Sequence, residues 1–120
     1  MSFTVGEYGA SKILRVAGLI DMSSQTELTL TIYPPTGTAI TKTTADGVVL
    51  GSGVTDPTLG VLAANEYVDY PMESGVLTEA GTIAGGDPWE VTLTYDNSGV
   101  SPPDHIIGIC AQFDVLATCS

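Results

Sequence analysis

Residues 26–38, TELTLTIYPPTGT, alternate apolar and polar side chains without a fault from Glu27 to Ile32, then meet two prolines and a glycine. A period of two puts Leu28, Leu30 and Ile32 on one side of an extended chain and Glu27, Thr29 and Thr31 on the other. That is the pattern of a strand with one face on a core and the other in water. Proline has no amide hydrogen to give to a neighbouring strand, so Pro34 and Pro35 predict the strand's end after Tyr33. Gly37 is expected to supply a backbone angle that other residues avoid, turning the chain back.

The same device recurs along the chain. In WEVTLTYD, residues 89–96, Trp89, Val91, Leu93 and Tyr95 point inward while Glu90, Thr92 and Thr94 point outward. HIIGICAQFDVL, residues 105–116, places Ile107, Ile109, Ala111, Phe113 and Val115 on one face. Weaker strands are predicted at residues 13–16, 38–44, 48–50 and 66–72. β-branched and aromatic residues dominate these runs, which suits a half-buried pleated surface. Turn signals separate them: YPPTGT, DGVV, GSG, DPTLG, ESG, EAGTIAGGDP, DNSG and SPPD. No segment has a helical period, and residues 59–67 are read as able to hold one short turn of helix. About seven short strands in 120 residues predict one all-β domain, an antiparallel β-sandwich over residues 1–120. Residues 1–11 form an N-terminal arm and residues 117–120 a C-terminal tail in this reading. The core is expected to contain Leu28, Leu30, Ile32, Trp89, Val91, Leu93, Ile107, Ile109 and Phe113.

Charge narrows the partners. The net charge is −11, and Lys12, Arg15 and Lys42 are the only lysines and arginines. They are balanced locally by Glu7, Asp21 and Glu27, so the whole acidic excess lies beyond residue 42. Such a surface repels phosphate backbones and anionic lipid headgroups alike, so neither nucleic acid nor membrane is expected as a direct partner. No stretch approaches the ~20 apolar residues of a membrane-spanning helix. The first residues, MSFTVGEYGASK, lack the basic-then-apolar pattern of a secretory signal, so the chain is expected to fold in the cytoplasm. Cys110 and Cys119 have no metal-ligand spacing and are expected to be free thiols in that reducing compartment.

Candidate sites are few. Ser101, Asp104 and His105 in SPPDH are the residue types of a hydrolytic triad. Their local spacing, interrupted by two prolines, suits a loop entering the last strand better than a nucleophile and base in mutual reach. Asp96, Asn97, Ser98 and Gly99 offer oxygen atoms to a calcium ion. A β-turn explains the same four residues, since Asp, Asn and Gly tolerate left-handed angles. Asp56 and Asp87 each precede proline and read as turn formers. Trp89 with the chain's five tyrosines suggests a sugar-stacking platform, Tyr33, Tyr67 and Tyr70 being the three whose facing the pattern leaves undecided. Sharing a face with Val91 and Leu93, Trp89 reads instead as core, and the three tyrosines stay open. No catalytic, cofactor-binding or metal-ligating residue is assigned, and no enzyme activity is expected.

The order of motifs resembles the small immunoglobulin-like modules of tailed-bacteriophage virions. There an Asp-Leu-Ser-like turn leads into a strand closing on Pro-x-Gly-Thr and then a short strand with lysine. The matching residues here are Asp21, Met22 and Ser23, then Pro35, Thr36, Gly37 and Thr38, then Lys42. The second half is similar too: a tyrosine strand with Tyr67 and Tyr70, then GVLTEAGT (75–82), then WEVTLTY (89–95). Two stretches depart from the pattern, an insertion at residues 83–88 and a long segment at 47–59. The resemblance spans residues 5–115 and implies an immunoglobulin-like fold in a non-enzymatic, multi-copy virion protein. Its implied partners are larger tail, neck or baseplate proteins, or in the alternative the major capsid protein, decorated as by a cement protein. A glycan-binding module of a cell-surface protein is the reading from a different class.

Overall fold

The computed structural model describes residues 2–18 and 20–117, with the side chains of residues 108–110 outside that description. The chain runs through β1 (Ser2–Thr4), β2 (Ile13–Ala17), β3 (Glu27–Tyr33) and β4 (Ile40–Thr43), then a 3₁₀ turn at Thr44–Asp46. It continues through β5 (Val49–Leu50), β6 (Val54–Asp56), β7 (Gly60–Leu62), β8 (Tyr67–Pro71), β9 (Trp89–Asn97) and β10 (Asp104–Leu116). The large sheet has the order β1-β10-β9-β3-β4, the small sheet β2-β8-β5, and β6 and β7 form a separate hairpin. Inward residues of both sheets meet in one core: Leu14, Val16, Val68 and Tyr70 from the small sheet, Leu28, Leu30, Ile32, Val91 and Leu93 from the large. This is an all-β sandwich, with β10, β9, β3 and β4 of one sheet packed against β2, β8 and β5 of the other.

The seven strands read from the pattern are all present. Three more, β1, β6 and β7, each of three residues, were not anticipated. β1 lies in the arm and pairs parallel with β10, Phe3 opposite Val115, so the sandwich is not wholly antiparallel. Phe3 is buried edge-on against Phe113, ring centroids 5.7 Å apart. β6 and β7 flank the DPTLG turn, which forms as read, and residues 59–67 hold β7 and a reversal in place of a helical turn. The 3₁₀ turn sits instead at Thr44–Asp46, where the Asp46 carboxylate accepts the Thr43 N–H.

Of the expected core, Leu28, Leu30, Ile32, Trp89, Val91, Leu93 and Phe113 are buried, and Ile107 is not. Ile107 is 67% exposed. Between Ile107, opposite Thr94, and Cys110, opposite Thr92, β10 has one residue more than β9. This bulge inverts the facing of everything before it. Ala111, Phe113 and Val115 keep the inward face, while His105 and Ile107 turn outward with Asp96 and Thr94. The side chains of Ile109 and Cys110 lie outside the description, as does Cys119, so the expected free thiols fall outside the described residues.

Gly37 also differs from expectation. Its φ is not in the left-handed region, unlike Gly47, Gly53 or Gly60. A Cβ at Gly37 would stand 3.0 Å from Pro34 Cγ, a tight contact where the chain folds back on its prolines. The PPTG, EAG and tryptophan segments meet at this corner. Thr36 donates to Glu79 Oε1 at 2.7 Å, and Trp89 Nε1 donates to the Glu79 carbonyl at 3.1 Å. Gly81 lies so close to Pro35 and the Asp87 carbonyl that a Cβ there would reach 2.5 and 2.3 Å from them.

Candidate functional site

The densest polar constellation lies on the outer face of the small sheet. Arg15, on β2, donates from Nε and Nη2 to Asp69 on β8, at 2.7 and 3.1 Å, in a forked pair. Its Nη1 donates to Asp56 Oδ2 at 3.1 Å. The guanidinium also lies 5.5 Å from the centroid of the Tyr67 ring. Asp56 ends β6, and its other oxygen accepts the backbone N–H groups of Thr58 and Leu59. Those backbone donors, with Arg15 adding to them, hold the Asp56 carboxyl below its ordinary range against the opposing effect of burial. Asp69 and then Asp56 keep Arg15 protonated at any accessible pH.

The cluster fastens the β6–β7 hairpin over the small sheet. Tyr67 is buried under that hairpin and accepts the Gly53 N–H at its hydroxyl, 3.0 Å away. Gly51 leaves room for the ring; a Cβ there would fall 1.8 Å from Tyr67 Cζ. Beside the hairpin corner runs a groove of about 590 Å³, lined by Ile13, Arg15, Ala17, Leu59, Ala111 and Gln112 among others. Its ionisable groups, Arg15 and Asp56, are already engaged with each other, so it brings no free acid or base to a substrate.

The other sequence candidates have local structural roles. His105 Nδ1 pairs with Asp96, directly opposite it across β9 and β10. Asp104 precedes His105 on β10 and so faces the other way, and Ser101 sits in the exposed loop before it. The three triad types are therefore not assembled. At the β9–β10 turn Asn97 Oδ1 accepts the Gly99 N–H at 2.9 Å, and Ser98 bonds Thr26 through both its amide and its hydroxyl. Those oxygens build a turn. Among the described residues no cluster of three or more His, Cys, Asp or Glu has metal-binding geometry. Asp87 donates its N–H to the Thr82 carbonyl at 3.1 Å, closing the 83–88 insertion, which is pinned by Ile83 N donating to Asp114.

Trp89 and Tyr70 are fully buried and Tyr67 and Tyr95 nearly so, which leaves Tyr8 and Tyr33 exposed among the candidate platform aromatics. Tyr70 donates to Glu73 Oε1 at 2.7 Å, and Lys42 reaches the same oxygen at 3.2 Å. Burial and the neighbouring carboxylate push the Tyr70 phenol well above its ordinary value, while the Tyr70 hydroxyl and Lys42 hold Glu73 below its own. This chain joins β4 of the large sheet to the end of β8.

Sequence reading did not find the Arg15–Asp56–Asp69–Tyr67 cluster, whose members are up to 54 residues apart. The available signal was the chain's single arginine, the one polar residue in the apolar run ILRVA. Comparison with protein families, with curated proteins and with solved structures returns no match.

Proposed function

We propose that the protein is a non-enzymatic structural module of a tailed-bacteriophage virion, present in many copies and docked on a tail, neck or baseplate component. The sequence resemblance supplies the setting. The observation that carries the docking role is the state of the sheet edges.

Exposed strand edges invite pairing, and monomers commonly guard them with charged side chains, lysine above all, or with very short edge strands. β1 and β5 are short, at three and two residues. β2 and β4 are the longer edges, with one cation each, and both cations turn back onto the protein's own acids. Arg15 is held by Asp56 and Asp69, and Lys42 by Glu73. Along β2 the Met72 N–H bonds the Lys12 carbonyl and the Gly18 N–H bonds the Glu66 carbonyl. Bonding alternates in an antiparallel pair, so the backbone groups of Ile13, Arg15 and Ala17 point away from β8 to the open side. Edges left in this state suit a protein whose neighbours cover them, while its net charge of −11 keeps free copies apart.

Sedimentation of purified phage particles tests the reading. The protein is expected in the particle fraction in multiple copies. Absence from that fraction, together with a free protein that stays monomeric at high concentration and high salt, would overturn it.

A further inference from the structure

We infer that the outward face of the large sheet is the docking surface, and that its partner is a protein surface with a small uncharged centre and a rim of lysine and arginine. This rests on the docking function proposed above and adds the face and the chemistry of the partner.

Three neighbouring strands each carry Thr-x-Thr at outward positions, in register. Thr29 lies opposite Thr43 on β4 and Thr94 on β9, and Thr31 lies opposite Thr41 and Thr92. The result is a grid of two rows of three threonines, about 4.8 Å apart across the strands and about 6.8 Å along them. The intervening residues Leu28, Leu30, Val91 and Leu93 are buried beneath. A β-branched threonine has one stiff side-chain torsion, so pressing a partner onto the grid orders little that is free. Tyr33, 44% exposed, and Ile107 flank the grid on β3 and β10. They are the apolar anchors such an interface uses, with the threonines supplying fit.

Acids border both ends. Glu27 and Asp96 face each other at one end, with His105 beside Asp96. At the other, Glu90 lies beside Tyr33 and Gln112, and Asp114 lies opposite Ser2. The described face has no lysine or arginine, because Lys42 lies opposite Leu30 on the inner side and reaches Glu73. Stacking a second copy on this face sets acid against acid whichever way it is turned. A partner with a basic rim meets both ends favourably, and complementary potential fixes its orientation.

The test compares Thr31→Cys, on the grid, with Val61→Cys, on the far side of the molecule and 83% exposed. Each variant is treated with a maleimide as free protein and in assembled particles, with labelling read at each site by peptide mapping. Position 31 is expected to react at least tenfold more slowly in particles than in free protein, with position 61 unchanged. Glu27→Lys is expected to lower incorporation at least tenfold, and high salt to release wild-type protein. Equal reactivity at position 31 in protein that still sediments with particles overturns the face and leaves the docking function standing. Unchanged incorporation of Glu27→Lys overturns the basic rim. A dimer of the isolated protein in high salt, dissolved by Thr31→Arg, names a second copy as the occupant and overturns the partner's chemistry. Failure to sediment with particles brings down the docking function and this inference together.

Discussion

Arg15 shows how much one side chain can hold in place. Its forked pair with Asp69 fixes β2 to β8, and its remaining nitrogen fixes the hairpin corner at Asp56. Arg15→Met leaves two half-buried carboxylates without their cation and is expected to lower stability by about 2–3 kcal/mol in urea unfolding. Arg15→Lys is expected to recover only part of that, because an ammonium cannot span both acids with a planar fork. Ile107 and Phe113 make the complementary case on β10. Phe113→Ala is expected to cost about 3–5 kcal/mol, as removal of a core aromatic does. Ile107→Thr, outward on the far side of the bulge, is expected to change stability by less than about 0.5 kcal/mol. Equal losses at the two positions would mean that both face the core and that the bulge is misplaced.

The β6–β7 hairpin is the element held chiefly by electrostatics and close approach. Gly51→Ala drives a methyl group into the Tyr67 ring, so the ring or the hairpin must move, at a cost of about 1–3 kcal/mol. The accompanying sign is faster hydrogen exchange at Gly53, whose amide is bonded to the Tyr67 hydroxyl. The hairpin should also be acid-sensitive. The folded-state pKa of Asp56 is depressed, so its contribution is complete above the unfolded-state value of about 3.9 and is lost as pH falls through the lower folded-state value. Exchange protection in residues 54–62 is therefore expected to fall below about pH 4, and Asp56→Asn to remove most of that dependence. Protection that is constant down to pH 2 would show that the Asp56 contacts do not hold the hairpin.

For the whole molecule, two packed sheets predict a far-ultraviolet spectrum without helical minima and a Trp89 emission that iodide does not quench. A freely quenched Trp89 would contradict a core built around its contact with Phe113, ring centroids 5.9 Å apart. The molecule extends 53 × 30 × 25 Å, with two longer edges left open and an uncharged grid on one broad face. Those features are the ones on which the proposed docking role rests.

The strands with a legible period, β3, β9 and β10 beyond its bulge, were determined by the sequence itself, because alternation over four or more residues already states which side faces oil and which faces water. So were the breaks: Pro34 and Pro35 end β3 through their missing donors, whatever surrounds them. The acidic excess beyond residue 42 is likewise a property of the sequence alone. Three short strands, the bulge in β10 and the Arg15 cluster were decided only in the tertiary structure. A strand of three residues shows no period, and β1 exists because β10 offers it a partner and Phe113 a ring to pack against. One extra residue in β10 is an extra only when counted against β9. Arg15 meets Asp56 and Asp69 across 41 and 54 residues of chain, and the threonine grid depends on register among three strands. The local chain encodes which residues face outward, but the choice of neighbour across a sheet is a long-range pairing that the period alone does not carry.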